Sequence, residues 1–293
     1  MRISTPYQYG TYAGDIARAQ ERYVEIQRQI ASGKKLNTLS DDPLGLSTSL
    51  SMKGLRDGLE QYKRNLNMAK GQLGLAETSL SEVNTLMRRA YELAVSGANG
   101  ATDQNGRNAM VAELTEIQQR LVDLGNAQGG NGEYLFAGQM TDVKPFTVVG
   151  STLNYNGDDL DRAVEAAPGE VLVASVQGRQ LFTDAYAAID RLKLNLQGNY
   201  TAISGVDIPA LQASLETVNT TRGQIGARLK FVEPWMADHD RRSDELTQSI
   251  SEIEDVDITE AVVQYQMAQA AYSGALQIAS QGFGLSLLDF IRA

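Results

Sequence analysis

His239 stands between Asp238 and Asp240, and an imidazole flanked by carboxylates is a set that can bind zinc or move a proton. It is the only histidine, and the chain has no cysteine, so a closed zinc site would lack its other nitrogen or sulfur ligands. This spacing instead reads as a solvated helix face. A second grouping is acidic: Glu252, Glu254, Asp255, Asp257 and Glu260. A calcium loop needs oxygens at alternate positions around a central glycine, and the cluster lacks that pattern. Carboxylates gathered at the start of a new helix account for it better. No glycine-rich phosphate loop opens a helix, and no serine or cysteine nucleophile has a base in context. The residues predict no catalysis, no cofactor and no metal.

What remains is polar chemistry in a linker. The run Lys34, Lys35, Asn37, Asp41, Asp42, Pro43 follows Gly33. Lys34 and Lys35 read either as the cationic end of a helix or as an inter-subunit contact with acidic residues. Asp42 fits an N-cap and Pro43 the first helical position, where a missing amide proton costs nothing.

The elements around that linker are long. After Pro43, one seam carries Leu59, Leu66, Leu73, Leu80, Met87 and Ala94, and the other Leu55, Tyr62, Ala69, Ala76, Val83 and Ala90. Alternating steps of three and four mark a helix pressed lengthwise on other helices. Running from Pro43 to Ala94, it would be about 75 Å long at 1.5 Å per residue, so an elongated rod is expected. Gly54, Gly58, Gly71 and Gly74 interrupt it at about 1 kcal/mol each relative to alanine. For Gly71 and Gly74 we expect a closely approaching helix.

A first helix spans Tyr12 to Ser32 with Ile16, Ala19, Tyr23, Ile26 and Ile30 at heptad spacing, and a third runs from Asp103 to Asn126. From residue 134 to 182 the texture changes to short strands, such as Phe146–Val149 and Val171–Val173, with turns at Asn156-Gly157, Pro168-Gly169 and Gly178. Helical periodicity then resumes through Phe182, Leu192, Leu211 and Val232. Pro234 is expected to break that run, with a further helix after it. A last helix carries Ile258, Ala261, Tyr265, Ala268, Tyr272, Ala275 and Ala279.

The fold class is therefore mainly α with a small β insert. The termini would pair at one end of the rod and the β knob would stand at the other. The expected division is 1–42 with 258–293 as a terminal assembly domain, 43–133 with 183–257 as the helical rod, and 134–182 as the outer knob. Ile16, Tyr23, Ile26 and Ile30 would join Leu276, Leu287 and Leu288 in an apolar layer shared between subunits. The seam of the first helix, set against an alanine-rich last helix, buries too little to offset the entropy of ordering both. The ends should become rigid only when neighbouring subunits cover them.

Composition limits the partners. A formal charge of −10 argues against nucleic acid. No apolar run reaches the ~18 residues of a membrane span. The segment Asp142–Asp190 has eight acidic and three basic residues, an acidic exterior that discourages clumping. The N-terminal run Met1-Arg2-Ile3-Ser4-Thr5 lacks the apolar core of a secretory signal, so export would use another route.

Several stretches resemble one family. Ser32 to Gly45, with Lys34-Lys35-Leu36-Asn37 and Asp41-Asp42-Pro43, resembles the N-terminal signature of the bacterial flagellin superfamily. Gly132 to Gln139 with Pro145-Phe146 looks like the family's entry into its outer domain. Arg222 to Arg228 resembles its C-terminal α-domain, and Ser251 to Asp257 with Leu285-Ser286-Leu287-Leu288 its closing stretch. The opening Met1 to Thr5, the proline after Asp41-Asp42, the small insert and the ending Leu288-Asp289-Phe290-Ile291 look more like the hook–filament junction branch than like flagellin itself. The resemblance implies a non-enzymatic, secreted structural subunit of the flagellum that self-associates in a ring or helical array. It also implies contacts with a hook-side hook-associated protein and with flagellin, and an export chaperone on the C-terminal segment. A small flagellin that forms the filament itself is the alternative.

Overall fold

A computed structural model describes residues 5–38, 40–99 and 102–292, with backbone alone for 5–9 and 282–292. Periodicity becomes helix over most of that span: α1 Thr5–Ser32, α2 Pro43–Gly97, α3 Gln104–Gly125, α4 Arg179–Gly198, α5 Ile208–Glu254 and α6 Ile258–Arg292. Four strands lie between α3 and α4: β1 Phe146–Val149, β2 Thr152–Tyr155, β3 Ala163–Ala167 and β4 Glu170–Val173. The expected class, mainly helical with a small β insert, is the one found. Contacts divide the chain into two units, Met1–Asp57 with Arg242–Ala293, and Gly58–Arg241.

The heptads of α2 are buried from Leu66 onward; ahead of that, Leu55, expected on the seam, is 62% exposed, and Leu59 and Tyr62 are half-buried. Leu66, Leu73, Leu80, Met87 and Ala94 on one seam, and Ala69, Ala76, Val83 and Ala90 on the other, are buried. From Leu73 onward these side chains pack with Leu114 and Leu121 of α3, Ile189, Leu192 and Leu196 of α4, and Leu211, Val218 and Ile225 of α5. Asp103 caps α3 by accepting from the Gly106 amide at 2.7 Å. At the other end of α3, the Asn126 side chain accepts from the Phe146 amide at 2.9 Å and donates to its carbonyl at 3.0 Å. One amide thus fixes where β1 leaves the helix.

The insert is two separate hairpins, β1–β2 and β3–β4, each antiparallel. Phe146 and Leu153 send the first hairpin into the main core, where Phe182 meets Phe136 and Phe146 with ring centroids 5.0 Å apart in both cases. Ala166, Leu172 and Ala174 of the second join Leu66, Ala69 and Val232 in a satellite core. Asn156-Gly157 closes neither hairpin: it links them, the Asn156 amide donating to the Pro145 carbonyl at 2.8 Å. The hairpin turns use Gly150 and Gly169, both at positive φ.

Three expectations are corrected here. Pro234 does not break the helix, because α5 runs unbroken through it. Val232, Trp235 and Met236 on either side pack into the satellite core, and that burial outweighs the one ladder hydrogen bond that proline removes. His239 is not solvated. It is 3% exposed, its Nε2 lies 2.6 Å from the Ala166 carbonyl of β3, and its ring sits 5.9 Å from Tyr62. Its neighbours Asp240 and Asp238 turn outward to Lys63 and Arg241. Gly71 and Gly74 face open space: a methyl group added to either would meet nothing within 4 Å. Among the described residues no other helix approaches them. Gly71→Ala should accordingly raise the stability of this unit by about 0.5–1 kcal/mol, read as a higher urea midpoint with unchanged slope.

Candidate functional site

The smaller unit holds every residue expected to serve assembly. Its backbone is set by a left-handed stop: Gly33 has φ +70°, and no other residue type takes that conformation as cheaply. The turn lets the Gly33 carbonyl accept from the Val256 amide at 3.0 Å, while the Lys35 amide donates to the Glu254 carbonyl at 2.7 Å. Two linkers distant in sequence, α1–α2 and α5–α6, are thereby bridged as a short antiparallel pair at Lys34 and Asp255.

Charge reinforces that bridge. Lys34 Nζ lies 2.6 Å from Asp255 Oδ1 and 3.2 Å from Glu254 Oε2. Glu254 also takes Lys53 and the Ser49 hydroxyl of α2, and its side chain is only 5% exposed. Burial pushes the Glu254 carboxyl up, but hydrogen bonds from Lys53, Ser49 and Lys34 outweigh it and hold the group down at about 2. The hydrogen bond from Lys34, then that from Ser251, lowers Asp255 as well. Asp255 in turn holds the Lys34 ammonium above its ordinary value. Lys35 reaches the Glu252 carbonyl at 3.1 Å. The acidic partners of Lys34 thus lie within its own chain, and the acidic cluster is divided: Glu254 and Asp255 bind lysines, whereas Asp257 caps α6 through the Thr259 and Glu260 amides.

The rest of the linker is a capping device. Asp41 accepts from the Asn37 and Thr38 amides at 2.8 and 2.7 Å and from the Thr38 hydroxyl at 2.7 Å. The Thr38 hydroxyl bond leads the causes that lower its pKa. Asn37 Nδ2 returns to the Lys34 carbonyl at 2.9 Å. Asp42 caps α2 by accepting from the Leu44 and Gly45 amides, and Pro43 is the first helical residue as expected.

α1 packs on α6. Ile26, Ala261, Ala268 and Ala279 are buried there, and Ile16, Tyr23 and Ile30 half-buried. Tyr23 is the centre of the pair: its hydroxyl lies 2.9 Å from that of Tyr265, and its ring stacks on Tyr272 at 6.0 Å. Leu276 stays 43% exposed, and Val262, Val263, Met267 and Ile278 are exposed beside it. The side chains of Leu287 and Leu288 lie outside the described residues. Sequence reasoning missed Ser49, Lys53, Tyr265 and Tyr272 as parts of this site. The signal was there: Ser49 and Lys53, four apart, form a polar notch on one face of α2.

Among the described residues, no group of three His, Cys, Asp or Glu side chains is placed to hold a metal ion, and no helix is long and apolar enough to cross a membrane.

Residues 3–141 match the bacterial flagellin N-terminal helical region. Over its full length the chain is 26% identical to flagellar hook-associated protein 3 of Salmonella typhimurium and of Escherichia coli, covering 100% of each relative. Its likeness is to the flagellin superfamily, hook-associated protein 3 included. Flagellin FlaB1 of Treponema pallidum is 23% identical, with 90% of each chain covered. The fold is that of a flagellar hook-associated protein of Vibrio parahaemolyticus, with a TM-score of 0.68 at 21% identity over 73% of this chain and 100% of that one. The FlgL protein of Bacillus cereus matches with a TM-score of 0.60 at 21% identity, over 69% and 99%.

Proposed function

We propose that this chain is a structural subunit of the extracellular bacterial flagellum, joining hook to filament, and that it polymerises through its terminal helices after export. The observation that carries the reading is the end-to-end likeness to hook-associated protein 3, with neither chain left over. The α1–α6 pair supports it physically. Few side chains are fully buried between those helices, while Val262, Met267, Leu276 and Ile278 remain open to water. Apolar side chains exposed in this number on one helix want a cover.

Assembly is assigned to residues 1–42 with 258–293, through Ile16, Tyr23, Ile26 and Ile30 with Leu276, Leu287 and Leu288. Neighbouring copies supply the area that the pair lacks, so the ends become rigid in the array. The capped linker, Lys34 to Pro43, sets the direction in which α1 leaves α2. The partners are further copies of this chain, a hook-side hook-associated protein and flagellin, with an export chaperone holding the C-terminal segment beforehand. The role is mechanical, with no reaction catalysed.

Deletion of the gene in the source cell tests this. The expected outcome is hooks without filaments and flagellin shed into the medium. Normal filaments on the deleted strain would remove the junction role. Seeded growth of long filaments from the purified chain alone would make it a filament-forming flagellin instead.

A further inference from the structure

The pair of terminal helices brings together two phenols that sequence separates by 242 residues. Tyr23 and Tyr265 have their hydroxyls 2.9 Å apart, with ring centroids at 5.2 Å and planes tilted by 31°. Tyr272 lies on the other contact of Tyr23, stacked nearly parallel at 6.0 Å and 13°. Among the described residues these are the tyrosines whose rings touch another tyrosine. Tyr91 and Tyr200 instead meet Gln212 and Arg107. All three of the clustered rings are half-buried, open enough for a small reagent and held enough to stay paired. The chain has no cysteine, so a disulfide cannot tie the first helix to the last.

We propose that Tyr23 and Tyr265 form an oxidative coupling site, at which a one-electron oxidant joins α1 to α6 by a carbon–carbon bond. Each phenol loses one electron to one equivalent of oxidant and its phenolic proton to water. The two tyrosyl radicals then form a bond between ring carbons ortho to oxygen. The displaced ring hydrogens move to the oxygens as both rings regain aromaticity. The product is a dityrosine lighter than its parents by two hydrogens, and two equivalents of oxidant are reduced. With hydroxyls 2.9 Å apart and ring centroids at 5.2 Å, the two radicals are held together, so coupling within the chain is favoured over coupling between dilute molecules. The bond would fix the relative register of two helices that share little buried area, and it traps the paired state each time that state forms.

The test uses the full chain, dilute, with photo-oxidised tris(bipyridyl)ruthenium and persulfate as the oxidant, followed by proteolysis and mass spectrometry. One dominant intramolecular product is expected, linking the peptide of Tyr23 to that of Tyr265. Tyr23→Phe and Tyr265→Phe should each lower its yield by about tenfold or more, as loss of a proximity-driven reaction demands. Tyr272→Phe should leave it within about twofold, since the reacting atoms are elsewhere. Helical circular dichroism matching the parent shows that each variant folds. In the linked chain α1 should resist protease in urea concentrations that release it from the unlinked one. A product that survives in Tyr23→Phe, that joins Tyr23 to Tyr272 instead, or that forms only between molecules overturns the proposal.

Discussion

Phe182→Ala lowers the unfolding free energy of the larger unit by about 3–5 kcal/mol, the cost of a buried aromatic side chain together with the cavity it leaves. The expectation rests on position. Phe182 is fully buried in the first turn of α4, with Phe136 ahead of β1 and Phe146 at its start both 5.0 Å away between centroids. Three segments therefore meet on one ring. Trp235, the only tryptophan, packs against the satellite core of the same unit, so its fluorescence follows unfolding there in urea. Phe182→Leu keeps most of the volume and should cost less than about 1.5 kcal/mol. A loss below about 1 kcal/mol for Phe182→Ala would mean that the cavity collapses, and that the hairpin is not anchored by this ring.

Glu254→Gln should loosen the other unit where its linkers meet. Removing one member of a buried ion pair costs about 3–5 kcal/mol. Here both lysines are over a third exposed, and water screens what is lost, so about 2 kcal/mol is expected. The readout is local: the Lys35 amide, bound to the Glu254 carbonyl, should exchange its hydrogen about thirtyfold faster, at a factor of ten per 1.36 kcal/mol. The pH dependence has a definite sign. The carboxyl is held at about 2 in the folded chain, below its value of about 4.3 when unfolded. Its contribution is therefore complete above that unfolded value and is lost as the pH falls toward 2. The difference between parent and variant should be full at pH 7 and less than about half of that by pH 3. A difference that persists undiminished in acid would show that shape, and not charge, holds the linkers.

The same two sites show how far sequence carries. The heptads of α2 were readable because a helix buried lengthwise needs apolar side chains at fixed steps, and nine of them, from Leu66 to Ala94, are buried as the spacing requires. The linker caps were readable for a local reason. Asp41, Asp42 and Pro43 act on amides within four residues, so the motif contains its own partners. Lys34 was readable as a cation, at a helix end or against acidic residues of another subunit, but its partners were not, because Glu254 and Asp255 come from the far end of its own chain and only folding brings them near. Pro234 and His239 misled for one shared reason. Local rules assign a break and a solvated face, yet each lies where α5 presses on the second hairpin, and burial overrode propensity.

Sequence by itself determined the order of helices and hairpins, the capped linker and the apolar seams, since each depends on spacings of a few residues. Only tertiary structure decided that Glu254 is the hub of three polar side chains, that His239 is a core residue, and that Tyr23 faces Tyr265. Those facts depend on which distant segments share a surface. That is fixed by the summed burial of whole helices, which no short window of sequence contains.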